Sequence, residues 1–100
     1  MKEISKSNAR KIGKDTMLLQ TMEECSELIQ AISKYNRTRG IGQKTETPPH
    51  EAFDNLLLEI ADVKICIEQL TYLLDAEVEI KYLMDIALEK VAKRYEEADT

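Results

Sequence analysis

Residues that break helices occur almost entirely in one place in this chain. It has three glycines and two prolines, and all but Gly13 lie between Thr38 and Pro49. Glycine and proline are the strongest local punctuation a sequence carries. β-branched runs are rare, so the remainder reads as helix. The expected fold is all-α: an antiparallel bundle of three to four helices, one domain over residues 1–100.

The periodicity places the helices. Leu18, Met22, Cys25, Ile29 and Ile32 recur at alternating steps of four and three. They predict an amphipathic helix from about Asp15 to Arg37, with Leu28 and Tyr35 widening its apolar stripe. The polar residues before it predict a short helix ending near Gly13. Thr47 followed by Pro48 and Pro49 is a start signal, because proline is tolerated in a first helical turn. The next helix is expected from about His50 to Leu74. Asp75 reads as the N-cap of a last helix, Ala76 to about Ala98, with Ile80, Leu83, Met84, Ala87 and Val91 as its stripe. So short a connection predicts antiparallel packing of these two helices. The intervening loop, residues 38–49, is long for a compact domain, which predicts mobility or function.

Charge narrows the function classes. The net charge is −5 and the pI about 4.9. Nucleic-acid polymers are usually bound by basic surfaces, so such a partner is not expected. The stretch Leu56 to Leu74 has 13 apolar residues of 19, but it also carries Glu59, Asp62, Lys64 and Glu68. A membrane span tolerates few charges, so none is expected. Cys25 and Cys66 form no zinc spacing and read as buried thiols of a reducing compartment. With no apolar leader after Met1, the expected location is cytoplasmic. An almost wholly apolar helix in a 100-residue chain leaves more apolar surface than three helices can cover, which predicts a homodimer or homotetramer.

The informative feature is where the acids fall. Glu24 and Glu27 are three apart in one helix, and Glu59 and Asp62 are three apart in the next. A step of three returns to within about 60° on a helix, so each pair projects from one face. Glu23, Glu24 and Glu27 alone are also compatible with a solvated helix face. Glu59 and Asp62 are different, because Leu56-Leu57-Leu58-Glu59-Ile60-Ala61-Asp62-Val63 has almost no polar face. Carboxylates pointing inward need a proton or a cation. Hard cations such as Mg²⁺ and Mn²⁺ prefer oxygen ligands.

Glu23-Glu24-Cys25-Ser26-Glu27 fits EExxE, and Glu59-Ile60-Ala61-Asp62 fits ExxD. Together, over roughly residues 10–97, they resemble the MazG-like all-α NTP pyrophosphohydrolase superfamily, which includes dimeric dUTPases and dCTP pyrophosphatases. The resemblance implies that Glu24, Glu27, Glu59 and Asp62 bind Mg²⁺, or Mn²⁺ in its place. It implies catalytic roles for Glu23 and Glu24, with Glu23 orienting water or a second ion. It implies that a nucleoside triphosphate is hydrolysed to a monophosphate and pyrophosphate, as in nucleotide-pool sanitation. Lys90, Lys93 and Arg94 match basic residues that touch phosphates in relatives; as plain residues they equally suit the last turns of a helix. The chain departs from the pattern in the 31 residues between Glu27 and Glu59, in having no Trp, and in placing Lys64 just after ExxD.

Two other classes compete. A di-iron bundle wants two Glu-x-x-His motifs, and the chain has one histidine, His50. A non-enzymatic oligomerisation or adaptor module would suit amphipathic helices, but it has no need of inward-pointing acids.

Overall fold

The computed structural model describes residues 1–98. Among them are four helices and no strand: α1 (Glu3–Ile12), α2 (Lys14–Thr38), α3 (Pro49–Leu73) and α4 (Glu77–Ala98). Gly13 both ends α1 and begins α2. Its φ of 85° and ψ of 159° is a conformation open essentially to glycine alone. Pro49 opens α3 at N1, as its missing N–H allows. Pro48, not Thr47, is the cap residue, and no side chain caps this end.

The molecule is organised on one helix pair. α2 and α3 run antiparallel, so the end of α2 meets the start of α3. There the Tyr35 and Phe53 rings lie 5.8 Å apart. Met17, Thr21, Glu24, Leu28, Ala31 and Tyr35 on α2 are all buried or half-buried, and so are Ala52, Leu56, Glu59, Val63, Cys66 and Leu70 on α3. Both sets step by four and three in alternation, the spacing of two helices meeting along a coiled-coil seam. The buried hydrophobic residues of this thin core are Met17 and Ala31 on α2, Ala52 and Val63 on α3, and Ala9 on α1.

The seam is not the stripe that periodicity singles out. Leu18, Met22, Ile29 and Ile32 remain 41%, 70%, 68% and 43% exposed. α2 therefore turns a smaller and more polar face to α3, displaced by one residue, and leaves its most apolar stripe open. α1 covers the far end of the pair instead. Gln69, buried, donates from Nε2 to the Ser5 carbonyl at 3.1 Å. Arg10 donates to the Tyr72 hydroxyl, and the Lys6 ammonium lies 5.8 Å from the Tyr72 ring centre.

α4 corrects a second expectation. It does not lie back along α3 as an antiparallel partner; among the described residues it touches α3 and packs on neither α1 nor α2. Val78, Leu83, Met84 and Leu88 are more than half exposed. The radius of gyration is accordingly 17.3 Å, against about 13 Å for a compact domain of this length. The cause is at Asp75, which is not an N-cap. It sits in the left-handed region at φ 52°. The Asp75 N–H reaches the Tyr72 carbonyl at 3.1 Å, and the Ala76 N–H reaches that of Thr71 at 3.2 Å. These are the paired bonds of a Schellman motif, with Asp75 at the position that ordinarily takes glycine. Gly40, at φ 81°, closes α2 in the same way, through Gly40 to Arg37 and Ile41 to Asn36.

This assignment separates two outcomes for Asp75→Gly. As the left-handed terminus of α3, the substitution relieves a Cβ clash and should raise stability by up to about 1 kcal/mol. A fall in the thermal midpoint would instead return Asp75 to the role of cap.

Candidate metal centre

The seam determines which carboxylates meet. Glu24 and Glu59 occupy facing positions within it, so each is half-buried. Glu27 follows Glu24 by one turn and leans onto the same space. One carboxylate oxygen from each of Glu24, Glu27 and Glu59 lies within 4.8 Å of the others. Oε2 of Glu24 and Oε2 of Glu59 are shielded from solvent and have no hydrogen-bond partner. Such orphaned buried acceptors need an explanation, because each costs the desolvation of its group.

The electrostatics point the same way. Burial pushes the Glu24 carboxyl above its usual range, and the charges of Glu27, Asp62 and Glu59 add to the shift. Burial raises Glu59 likewise, with Glu27 and Asp62 behind it. Asp62 is half-buried and close enough for its charge to act on both, although it stands outside the tightest group of three. Glu23 is exposed on α2, also outside that group.

Three carboxylates at this spacing fit a hard divalent cation. Oxygens bound to Mg²⁺ at about 2.1 Å lie at most about 4.2 Å apart across the ion, and those of Ca²⁺ somewhat farther. With one oxygen from each acid they would supply three of six ligands, leaving room for water or a ligand's oxygens. The nearby sulfur does not compete. Cys25 and Cys66 are free and half-buried rather than fully buried as expected. Burial, then Glu24, Asp62 and Cys25, push the Cys66 thiol up, so it stays protonated, whereas soft-metal ligation needs the thiolate. His50 is exposed in the first turn of α3 and is not among the clustered acids.

A cavity of about 530 Å³ opens from the carboxylates along the α2–α3 groove. Glu27 and Glu59 line one end, and Lys34, Arg37 and Asn55 also line it. Sequence reasoning did not single out these last three. The signal was present: Lys34 follows Glu27 by seven residues, two helical turns, which returns it to the same face. Lys90, Lys93 and Arg94 are exposed on α4 and line none of the cavities described among residues 1–98. No helix among the described residues is long and apolar enough to cross a membrane.

No family model, no curated protein and no solved structure matches this chain.

The raised carboxyls set a pH dependence. Glu24 and Glu59 bind a proton more tightly in the folded chain than at the ordinary value of 4.5 that unfolding restores. Their contribution to stability is therefore full below about 4.5 and is lost as pH rises through the folded values. A divalent cation held between these acids would replace the proton and reverse the loss. Thermal melts with Mg²⁺ and with EDTA, from about pH 4 to pH 8, should diverge as pH rises. Curves that stay parallel over this range would argue against a cation between these acids.

Proposed function

We propose that this chain is a Mg²⁺-dependent nucleoside triphosphate pyrophosphohydrolase of the MazG-like type. The observation that carries the proposal is the convergence of Glu24, Glu27 and Glu59 from two helices, with two of their oxygens buried and unpartnered. The EExxE and ExxD motifs supply these residues, and Asp62, the remaining acid of ExxD, stands beside them. Mg²⁺, or Mn²⁺ in its place, would supply charge compensation for a phosphate chain and lower the pKa of water.

The chain's own groups have distinct tasks. Glu24, Glu27, Glu59 and Asp62 hold the cation. Glu23, exposed and next to Glu24 in α2, is free of that duty and would orient the attacking water and accept its proton. Water attacks the α-phosphorus in line, the bond to the β-phosphate oxygen breaks, and pyrophosphate leaves a nucleoside monophosphate behind. Removing non-standard nucleotides from the pool is the purpose such a reaction serves.

The open apolar faces of α2 and α4 support a homodimer or homotetramer, in which a second copy covers them. In that assembly Lys90, Lys93 and Arg94 reach phosphates from a neighbouring chain. Light scattering at micromolar concentration should give a multiple of 11.5 kDa; a monomer would remove these three residues from the site.

A panel of NTPs and dNTPs with Mg²⁺ should release pyrophosphate. Orthophosphate as the primary product would contradict the bond assigned. Glu59→Gln and Asp62→Asn should each lower kcat by about two orders of magnitude or more while helical content stays intact. An adaptor module, by contrast, would show neither turnover nor any thermal shift with Mg²⁺.

A further inference from the structure

The cavity beside the carboxylates has two electrically opposite ends. On α2 its wall is Glu27, Ala31, Lys34 and Arg37, spaced to share one face; on α3 it is Asn55 and Glu59, one turn apart. Lys34 follows Glu27 by about 10 Å along the helix axis. Side chains on a helix tilt toward its N-terminus, so Lys34 and Arg37 lean back toward the acids.

Neither cation is neutralised by the protein. Among the described residues Lys34 and Arg37 have no ion-pair partner, although the chain carries a net charge of −5 and two acids share the cavity. Arg37 Nε is shielded from solvent and has no hydrogen-bond partner. The loop after α2 passes beside its stem: a Cβ added to Gly42 would lie 3.7 Å from Arg37 Cγ. At φ 88° Gly42 holds a backbone conformation that a side chain disfavours.

A ligand matched to this cavity must satisfy both ends. A neutral molecule leaves Lys34 and Arg37 unanswered. A bare anion is repelled by Glu27 and Glu59. A phosphate chain complexed to a divalent cation suits both, with the cation on the carboxylates and free phosphate oxygens on the side-chain cations. We infer that Lys34 and Arg37 form the phosphate-binding end of this cavity, with the Asn55 amide as a further donor, and that the ligand is a metal-complexed di- or triphosphate. This rests on the pyrophosphohydrolase reading for the cation at the other end.

The test is calorimetry on the full chain with Mg²⁺ alone, then with inorganic tripolyphosphate in saturating Mg²⁺, beside a separate assay of NTP hydrolysis. Lys34→Gln and Arg37→Gln should each weaken tripolyphosphate binding about tenfold or more. Mg²⁺ affinity should stay within about twofold, since the cation contacts neither residue. Arg37→Lys, which keeps the charge but loses the planar fork, should fall between. Lys34 is exposed, so its variant keeps the test valid if Arg37→Gln misfolds. Variants that bind tripolyphosphate like the wild type would overturn the subsite while leaving hydrolysis, if seen, to stand. So would a wild-type chain that hydrolyses NTPs but binds no tripolyphosphate. Tripolyphosphate binding that depends on Lys34 and Arg37 in a chain without hydrolysis would support the subsite and remove the enzyme.

Discussion

Everything in this molecule depends on two helices meeting along a seam that contains charge. An antiparallel pair with heptad spacing normally fills its contact positions with aliphatic side chains. Here one such position on each helix is glutamate, and the two face each other. Each keeps one carboxylate oxygen shielded from solvent within the seam, while Glu59 also borders the open groove. The structure thus holds like charges together, which is unfavourable unless something positive joins them. Glu24 and Glu59 hold protons more tightly than usual because of burial first and the neighbouring negative charges second.

Much of the fold was legible from residue order. Both ends of α2 and the start of α3 follow from Gly13, Gly40 and the Pro48-Pro49 pair, because these residues admit few backbone conformations. The pairing of EExxE with ExxD was legible because Glu59 and Asp62 stand in a segment with no polar face to receive them. The choice of face was not. Two adjacent stripes on α2 share the same period, and the more apolar one, Leu18 to Ile32, attracts any reading by hydrophobicity. The chain packs the other against α3, where Thr21 and Ala31 are small enough for close approach.

Asp75 shows a different blind spot. Aspartate is a favoured N-cap, but it also tolerates the left-handed region better than most residues. Composition cannot choose between these roles when one helix ends where the next begins. Lys34 and Arg37 were hidden for a similar reason: cations near the end of a helix are ordinary, and only the groove against α3 gives them a shared cavity with the acids.

The turn at Asp75 has a mechanical consequence. Arg94 stands 17 residues beyond the start of α4 at Glu77, roughly 26 Å along a straight helix. With no other element bracing it, α4 is a lever whose fulcrum is one residue's backbone torsions. A swing of roughly 10° there carries the far tip through several ångströms, more than the tolerance of a hydrogen bond. Any task assigned to that tip therefore demands an external brace, and the accuracy of its cations is inherited from whatever surface the lever comes to rest on.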